Sequence, residues 1–146
     1  MNLLAPVSTI MTANPISVSP EDSLQTVNTI FDNHRIHHVP VVLADELVGI
    51  VSKSDLSFFK RGFLDDEYNR LAEDLRLNSY KVKNIMTTGL GKLDKDDRIN
   101  VVLDVFAKNL FHALLVVDGK KLLGIVTTHD IIKQLADDNR VVNSYK

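Results

Sequence analysis

The chain has 146 residues, of which 45% are hydrophobic and 25% are charged, an average composition for a globular protein. Its 17 Lys and Arg residues against 19 Asp and Glu residues leave a formal net charge of −2, which argues against nonspecific nucleic-acid binding. The absence of cysteine excludes disulfides, thiolate nucleophiles and zinc–thiolate sites. Residues 1–6 lack the basic and apolar features of a signal peptide, and no apolar run approaches membrane-spanning length, so a cytoplasmic protein without membrane contact is expected.

The chain contains an internal repeat. A shift of 75 residues places residues 7–12 on residues 82–87 and continues without a gap. Between residues 7–56 and residues 82–131, about 15 of about 50 aligned pairs are identical, well above chance for an ungapped alignment. The sequence therefore predicts two tandem copies of one structural unit.

Each copy has the same predicted order of elements: strand, helix, strand, strand, helix. In the first copy, residues 16–18 are a strand candidate. Ser19 suits a helix N-cap and Pro20 suits the first helical position, so a helix is predicted to begin there. Apolar side chains then recur at helical spacing, which predicts a buried helix face in both copies. These side chains are Leu24, Val27, Ile30 and Phe31 in the first copy and Ile99, Val102, Val105 and Phe106 in the second.

A strand pair is predicted after the first helix of each copy. Residues 39–43 and 47–51 are short and rich in β-branched side chains, which favours strands over helices. In the second copy the two strands are joined through Asp118-Gly119, a dipeptide typical of tight hairpins. A serine or threonine follows each hairpin and is placed to begin the second helix of the copy.

Residues 61–81 are predicted to form an amphipathic connecting helix between the copies, because its apolar residues are spaced four, three and four apart. Nearby phenylalanines add more apolar surface than one small unit covers, so a homodimer is expected. The residues concerned are Leu64, Tyr68, Leu71 and Leu75 on the helix, with Phe58, Phe59 and Phe63 close to its start.

Three short sequence motifs recur at equivalent positions in both copies. They are Ile-Met-Thr at residues 10–12 and 85–87, a hydrophobic strand run at residues 37–42 and 112–117, and Gly-Ile-Val-(Ser/Thr)-x-x-Asp at residues 49–55 and 124–130. Together they resemble the tandem cystathionine-β-synthase (CBS) domain, or Bateman module. The resemblance implies an α+β fold of two tandem CBS-type repeats, with small mixed sheets flanked by helices and related by pseudo-twofold symmetry. The repeats are assigned to residues 7–60 and 82–138, with the connecting helix at 61–81, together forming one Bateman module.

The resemblance implies a non-catalytic regulatory module and not an enzyme. Such modules bind an adenosine-type ligand (AMP, ADP, ATP or S-adenosylmethionine) in the cleft between the repeats and signal to a separate regulated protein, for example in energy sensing. Neither Ser/Thr-x-x-Asp motif has an arginine in its interior, which favours AMP over ATP as the regulatory adenine nucleotide. No catalytic cofactor and no nucleic-acid partner are expected.

The resemblance also implies a role for particular residues. Asp55 and Asp130 are expected to hold the ribose hydroxyls, with the hydroxyl groups of Ser52 and Thr127 beside them. The base pockets are assigned to Ser17, Val18, Val39 and Pro40 in the first copy and to Lys92, Leu93, Ala113, Leu114 and Leu115 in the second. The phosphate-facing residues are assigned as His37, His38 and Lys53 in the first copy and His112 and His129 in the second.

The chemistry of the paired motifs supports such a ligand. A carboxylate at the start of a helix can accept hydrogen bonds from both hydroxyls of a ribose, and these bonds are charge-assisted. Free N–H groups at the N-termini of the second helices would suit phosphate. The same Ser/Thr-x-x-Asp spacing is also that of a capping box, which explains both motifs without any ligand.

Two alternatives to nucleotide binding remain open at this stage. The chain could be a protein–protein interaction module whose ligand clefts are vestigial. It could also sense a metal such as Mg²⁺ or Zn²⁺ through its histidines, because imidazole suits Zn, Ni or Cu. Against the metal, His37 and His38 are adjacent in a predicted strand and would point to opposite faces.

Overall fold

The structure, a computed structural model, describes residues 1–62 and 70–138. In chain order the strands and helices are β1 (Thr12–Ala13), α1 (Leu24–Asn33), β2 (His38–Leu43), β3 (Glu46–Ser52), α2 (Lys53–Arg61), α3 (Arg70–Ser79), β4 (Lys92–Asp94), α4 (Ile99–Ala107), β5 (Ala113–Asp118), β6 (Lys121–Thr127) and α5 (Thr128–Ala136). Short 3₁₀ turns at Val7–Thr9 and Val82–Asn84 precede the two Met-Thr segments. None of the helices in the described part of the chain has the length and apolar character needed to cross a bilayer.

The chain forms two compact units that do not follow the order of the repeat. One unit consists of Ile16–Leu90, and the other combines Met1–Pro15 with the chain from Gly91 onward. The first fifteen residues therefore belong with the second repeat, and the segment before Gly91 belongs with the first.

The sheets of the two units have the same plan. In the unit of Ile16–Leu90, β2 and β3 pair antiparallel, Val18 bridges Val41 in parallel, and Thr87 bridges Ile50 antiparallel. In the other unit, β5 and β6 pair antiparallel, β4 pairs with β5 in parallel, and β1 pairs with β6 antiparallel. The strand predicted at residues 16–18 is therefore reduced to a single bridge at Val18, whereas its counterpart β4 is a full strand.

The predicted start of the first helix is wrong. Residues 19–22 form a turn in which Ser19 N–H donates to the Asp22 carboxylate at 2.8 Å, and α1 begins at Leu24 with Ser23 as its N-cap. The Ser23 hydroxyl accepts from Thr26 N–H at 3.3 Å. Ser19 and Pro20 are typical of a turn as well as of a helix start, and here they begin a turn closed by Asp22. Ser23, four positions after Ser19, is the residue that caps the helix.

The helix faces predicted from periodicity lie in the cores. Leu24 and Val27 are fully buried and Phe31 is 5% exposed, while Ile99 and Val102 occupy the equivalent places in the other unit. Both predicted strand pairs and both second helices are also confirmed. The partly buried Ile30, Val105 and Phe106 pack against these cores.

The two hairpins form equivalent turns with different residues in the left-handed conformation. Gly119 has φ +64°, as its place in a tight hairpin requires. The first hairpin has no glycine, and Ala44 and Asp45 adopt φ of 50° and 64° instead. A left-handed alanine costs roughly 1–2 kcal/mol relative to the usual conformation, so the strand pairing of β2 and β3 holds Ala44 in a strained position.

Equivalent hydrogen bonds attach the segment at the start of each repeat to the start of the first helix of the other repeat. Val82 N–H donates to Asp22 C=O at 2.8 Å and Leu24 N–H donates to Tyr80 C=O at 3.0 Å. In the other unit, Val7 N–H donates to Asp97 C=O at 2.7 Å and Ile99 N–H donates to Ala5 C=O at 3.0 Å. These four bonds obey the 75-residue shift of the repeat, so the exchange of segments is a built-in feature of both units.

An ion cluster adds to this attachment in the unit of Ile16–Leu90. The Lys81 and Lys83 ammonium groups lie 2.5 and 2.8 Å from the two carboxylate oxygens of Glu21. These two charged hydrogen bonds lower the pKa of Glu21 to about 2. The contribution to stability is small because all three side chains are about half exposed.

The methionines of the two Ile-Met-Thr motifs lie over glycines of the opposite repeat. A Cβ placed on Gly124 would lie 2.5 Å from Met11 Sδ and 2.8 Å from the Thr12 carbonyl oxygen. A Cβ on Gly49 would lie 2.8 Å from Met86 Sδ and 3.2 Å from the Thr87 carbonyl oxygen. The glycine of each Gly-Ile-Val motif thus provides the space in which the exchanged segment packs.

The predicted connecting helix is present in part as α3. Leu64, Tyr68 and Phe63 lie outside the described residues. Leu71 and Leu75 are 65% and 62% exposed, and the side chain that α3 buries is Leu77, at 1% exposure. The apolar stripe identified by spacing is therefore not the face that this helix packs into its own unit.

Candidate functional site

In the first repeat, the Ser52-x-x-Asp55 motif forms a complete capping box at the start of α2. Asp55 N–H donates to Ser52 Oγ at 3.0 Å, and Ser52 N–H donates to Asp55 Oδ2 at 3.0 Å. The side chains thereby hold the end of β3 and the first turn of α2 in a fixed relation. The capping box that the spacing of this motif suggests is therefore present in the structure.

The capping box leaves part of the Asp55 carboxylate available. Asp55 Oδ2 accepts the Ser52 N–H, whereas Oδ1 has no hydrogen-bond partner among the described residues. An ionised carboxylate has about four lone-pair positions, so most of its acceptor capacity remains. The residue is half-buried, which holds this unused oxygen at a defined place on the surface.

The free N–H groups expected at this helix end are fewer than predicted. Of the first four donors, those of Ser52 and Asp55 are used in the capping box, and Lys53 N–H donates to His37 C=O at 2.8 Å. Within the described residues only the Ser54 N–H has no acceptor. A phosphate at this end would therefore depend on side chains more than on the backbone.

The second repeat has the same local structure. Thr127 N–H donates to Asp130 Oδ2 at 2.8 Å and Asp130 N–H donates to Thr127 Oγ1 at 3.2 Å. Thr128 N–H donates to His112 C=O at 3.2 Å, which matches the bond between Lys53 and His37. The Asp130 Oδ1 likewise has no partner among the described residues.

The strand residues assigned to the base pockets lie beside these motifs, but most of their side chains are buried. Val18 N–H donates to Pro40 C=O at 3.0 Å, and His38 pairs with Ser52 across the sheet. Buried side chains of this set are Val18, Val39, Pro40, Leu93, Ala113, Leu114 and Leu115, whereas Ser17 and Lys92 are exposed. A ligand would meet the backbone of the buried positions, and their role stays a prediction.

A pocket of about 610 Å³ opens against α2 in the unit of Ile16–Leu90. It brings together three residues of the predicted site, His37, Lys53 and Asp55. This volume is within the range of small-molecule sites. The lining is completed by Ser54, Ser57, Phe58 and Arg61, which were not among the predicted site residues.

The missed lining residues share a face of α2. Ser54, Ser57, Phe58 and Arg61 follow the three- and four-residue steps that align side chains on a helix. Helical spacing counted from Lys53, which reaches Ser57 and Arg61 in two steps of four, could have suggested that face. The sequence motif, however, ends at the aspartate, so nothing in it pointed to Arg61.

The histidines are not grouped with other metal-ligating side chains in the described part of the chain. Within residues 1–62 and 70–138, no three His, Asp or Glu side chains are grouped so that they could hold a metal ion. His37 and His112 are exposed, and their carbonyls are engaged by the helix that follows each hairpin.

The CBS domain family matches this chain at residues 7–61 and again at residues 82–137. The chain belongs to the CBS domain family. Its α+β fold of two tandem repeats, each with a small sheet flanked by helices, is the fold of known CBS domain pairs.

Two solved structures of CBS domain proteins are similar over nearly the whole chain. The CBS domain pair of protein MJ0100, in complex with 5-methylthioadenosine and S-adenosyl-L-methionine, has a TM-score of 0.70 and 25% identity, covering 91% of this chain and 97% of that one. CBSX2 in complex with AMP has a TM-score of 0.73 and 22% identity, covering 90% and 96%. The second likeness concerns the fold alone.

Curated relatives are longer than this chain. An inosine-5'-monophosphate dehydrogenase of Thermoplasma acidophilum is 29% identical over 125 residues, which is 85% of this chain but 22% of the relative. Across the first matches, the chain spans about a fifth to a half of the relative's length. The similarity is thus confined to the paired CBS domains.

Proposed function

We propose that this CBS domain pair is a regulatory module that binds an adenosine-type ligand and passes the binding signal to a regulated protein. The proposal rests on the burial and hydrogen bonding of two carboxylates, those of Asp55 and Asp130. Each carboxylate is half-buried and held by a capping box through Oδ2, and its Oδ1 has no hydrogen-bond partner among the described residues. Two positioned acceptors at equivalent places suit the hydroxyl pairs of two ribose rings.

The pocket at α2 supports the same proposal for the first repeat. Asp55 lies in it with the cationic side chain of Lys53 and the imidazole of His37. A ribose at Asp55 with its phosphate directed to Lys53 and His37 keeps the ligand's negative charge away from the carboxylate. The bound adenosine derivatives of the similar CBS structures support this ligand class.

The proposal is tested by a ligand panel on the purified protein. AMP, ADP, ATP, S-adenosylmethionine, NAD and Mg²⁺ are compared by thermal shift, and every hit is titrated by calorimetry. A ligand that binds only the folded state stabilises it by about 2.7 kcal/mol at 100 times its Kd. For a chain of this size that corresponds to a rise in Tm of roughly 8 °C. Absence of a shift with every adenosine derivative contradicts the proposal and favours a module that only binds proteins.

The module is proposed to act as a homodimer, supported by the exposed apolar side chains of α3. Leu71 and Leu75 are one helical turn apart and both are more than 60% exposed. Light scattering is expected to give twice the 16.4 kDa chain mass, and Leu75→Glu is expected to shift the mass toward one chain. Leu110→Glu, at a residue 73% exposed in the other unit, is the matched control and should leave the dimer intact. A monomeric wild type, or equal effects of both variants, would count against the α3 interface.

A further inference from the structure

The pocket at α2 is lined by two cationic side chains that have no carboxylate partner among the described residues. Lys53 and Arg61 are both exposed and form no ion pair or side-chain hydrogen bond there. Among the described residues that line the pocket, Asp55 is the one acidic residue, and its Oδ2 accepts a hydrogen bond in the capping box. The described residues of the lining therefore carry a surplus of positive charge, although the whole chain is slightly acidic.

Lys60, the cationic residue next to Arg61 in the sequence, has an acidic partner, whereas Arg61 has none among the described residues. Lys60 contacts Glu73 at 3.4 Å and donates to Asn28, and it is not part of the pocket lining. Basic residues in a last helical turn are favoured by the helix dipole, which accounts for Lys60 and Arg61 equally. The dipole does not explain why Arg61 is turned to the pocket while Lys60 is neutralised.

The two pocket cations stand at opposite ends of α2. Lys53 is the first residue of the helix and Arg61 is the last, about 12 Å apart along its axis. Ser54 and Ser57 supply hydroxyl groups between them, and Phe58, 77% exposed, supplies an aromatic wall. A row of phosphate groups along this face would meet a cation at each end, whereas a single phosphate beside Lys53 would leave Arg61 unused.

The second repeat lacks this arrangement. By the 75-residue shift, Lys53 corresponds to Thr128 and Arg61 to Ala136. Phe58 corresponds to Lys133, which leaves one cationic side chain on this part of α5 and no aromatic residue. The two repeats therefore share the ribose acceptor but differ in the residues available for phosphate.

The geometry points to the α2 pocket as a polyphosphate subsite, in which Lys53 and Arg61 select a nucleoside di- or triphosphate over a monophosphate at the first repeat. This inference rests on the proposed nucleotide-binding function and extends it. Arg61 is its specificity-determining residue. It lies outside the motif on which the expectation of AMP was based, so the missing motif arginine does not count against a triphosphate here.

The test compares AMP, ADP and ATP by calorimetry on the wild type, Lys53→Ala, Arg61→Ala and the control Lys133→Ala. Loss of one charged contact to phosphate is expected to lower ATP affinity at the first repeat about tenfold in either pocket variant. AMP affinity should change less than twofold for Arg61→Ala, and Lys133→Ala should bind ATP as the wild type does. Equal ATP affinity in all four proteins, or equal losses for AMP and ATP in Arg61→Ala, overturns the inference.

Tripolyphosphate, titrated by amide NMR, separates this inference from the nucleotide proposal. The expected result is a set of shifts at the amides of α2 that is weakened in Arg61→Ala, with none at α5. If these shifts occur and no nucleotide binds, the pocket is a polyphosphate site and the nucleotide function fails. If nucleotides bind and tripolyphosphate leaves α2 unchanged, the nucleotide function stands and the polyphosphate subsite is refuted.

Discussion

Replacing Asp55 with alanine is expected to lower the affinity of the first repeat for an adenosine-type ligand by about 100-fold. In the proposed complex, Oδ1, which has no partner among the described residues, and the remaining lone pairs of Oδ2 would accept from the two ribose hydroxyls. Each hydrogen bond to a charged group contributes about 1.5 kcal/mol or more. Asp130→Ala should have the same effect at the second repeat. Calorimetric titration measures both, because loss of one site lowers the stoichiometry as well as the affinity.

The alanine variants also break the capping box, so an asparagine variant is needed to separate the effect on binding from the effect on folding. Asp55→Ala removes the acceptor for Ser52 N–H and costs about 1 kcal/mol of folding stability in addition to binding. Asp55→Asn keeps a side-chain oxygen for the cap but offers the ribose a neutral acceptor, so Tm should stay near the wild-type value while affinity falls. If Asp55→Ala and Asp130→Ala both bind the ligand as the wild type does, the carboxylates have only a capping role.

Gly124→Ala is expected to destabilise the fold by about 2–3 kcal/mol, a fall in Tm of roughly 5–10 °C. The added Cβ would lie 2.5 Å from Met11 Sδ and 2.8 Å from the Thr12 carbonyl oxygen. The methionine can move, but the carbonyl belongs to β1 and is fixed by its pairing with β6, so backbone must shift. Thermal unfolding followed by circular dichroism measures the loss.

Two other glycines provide a graded comparison. Gly49→Ala should cost about 1 kcal/mol, since its nearest backbone contact is 3.2 Å. Gly89→Ala has nothing within 4 Å of the new Cβ and should be neutral or slightly stabilising. Combining Gly124→Ala with Met11→Ala should cost less than the sum of the single changes, because one removes the atom that the other clashes with. An unchanged Tm for Gly124→Ala would mean that the segment containing Met11 does not pack on β6.

The repeated elements could be foreseen because each is encoded by neighbouring residues. The helical spacing of Leu24, Val27 and Phe31 predicts a buried face whatever that face packs against, and all three are buried. The β-branched runs predict both hairpins for the same reason. Competing local signals cause the errors, as at Ser19, where a good N-cap residue closes a turn and Ser23 begins the helix.

The candidate site was foreseen only up to the end of its motif. Ser52-x-x-Asp55 and its counterpart are recognisable because a capping box is local, and both boxes are formed. The contribution of Arg61 is not local in this sense, since it depends on which face of α2 is left open beside His37. The same limit applies to Leu71 and Leu75, whose spacing is amphipathic but whose exposure depends on the burial of Leu77.

The residue pattern alone determines that the chain has two equivalent copies, where their hairpins lie, and which side chains cap the second helices. The exchange of the Ile-Met-Thr segments between copies was decided by tertiary structure. Thr12 pairs with Ile125 and Thr87 with Ile50, yet nothing in a two-residue strand indicates its partner. Both repeats offer the same edge, so the local pattern is equally satisfied by either pairing. Contacts between residues far apart in sequence, Met11 over Gly124 and Met86 over Gly49, select the pairing that forms.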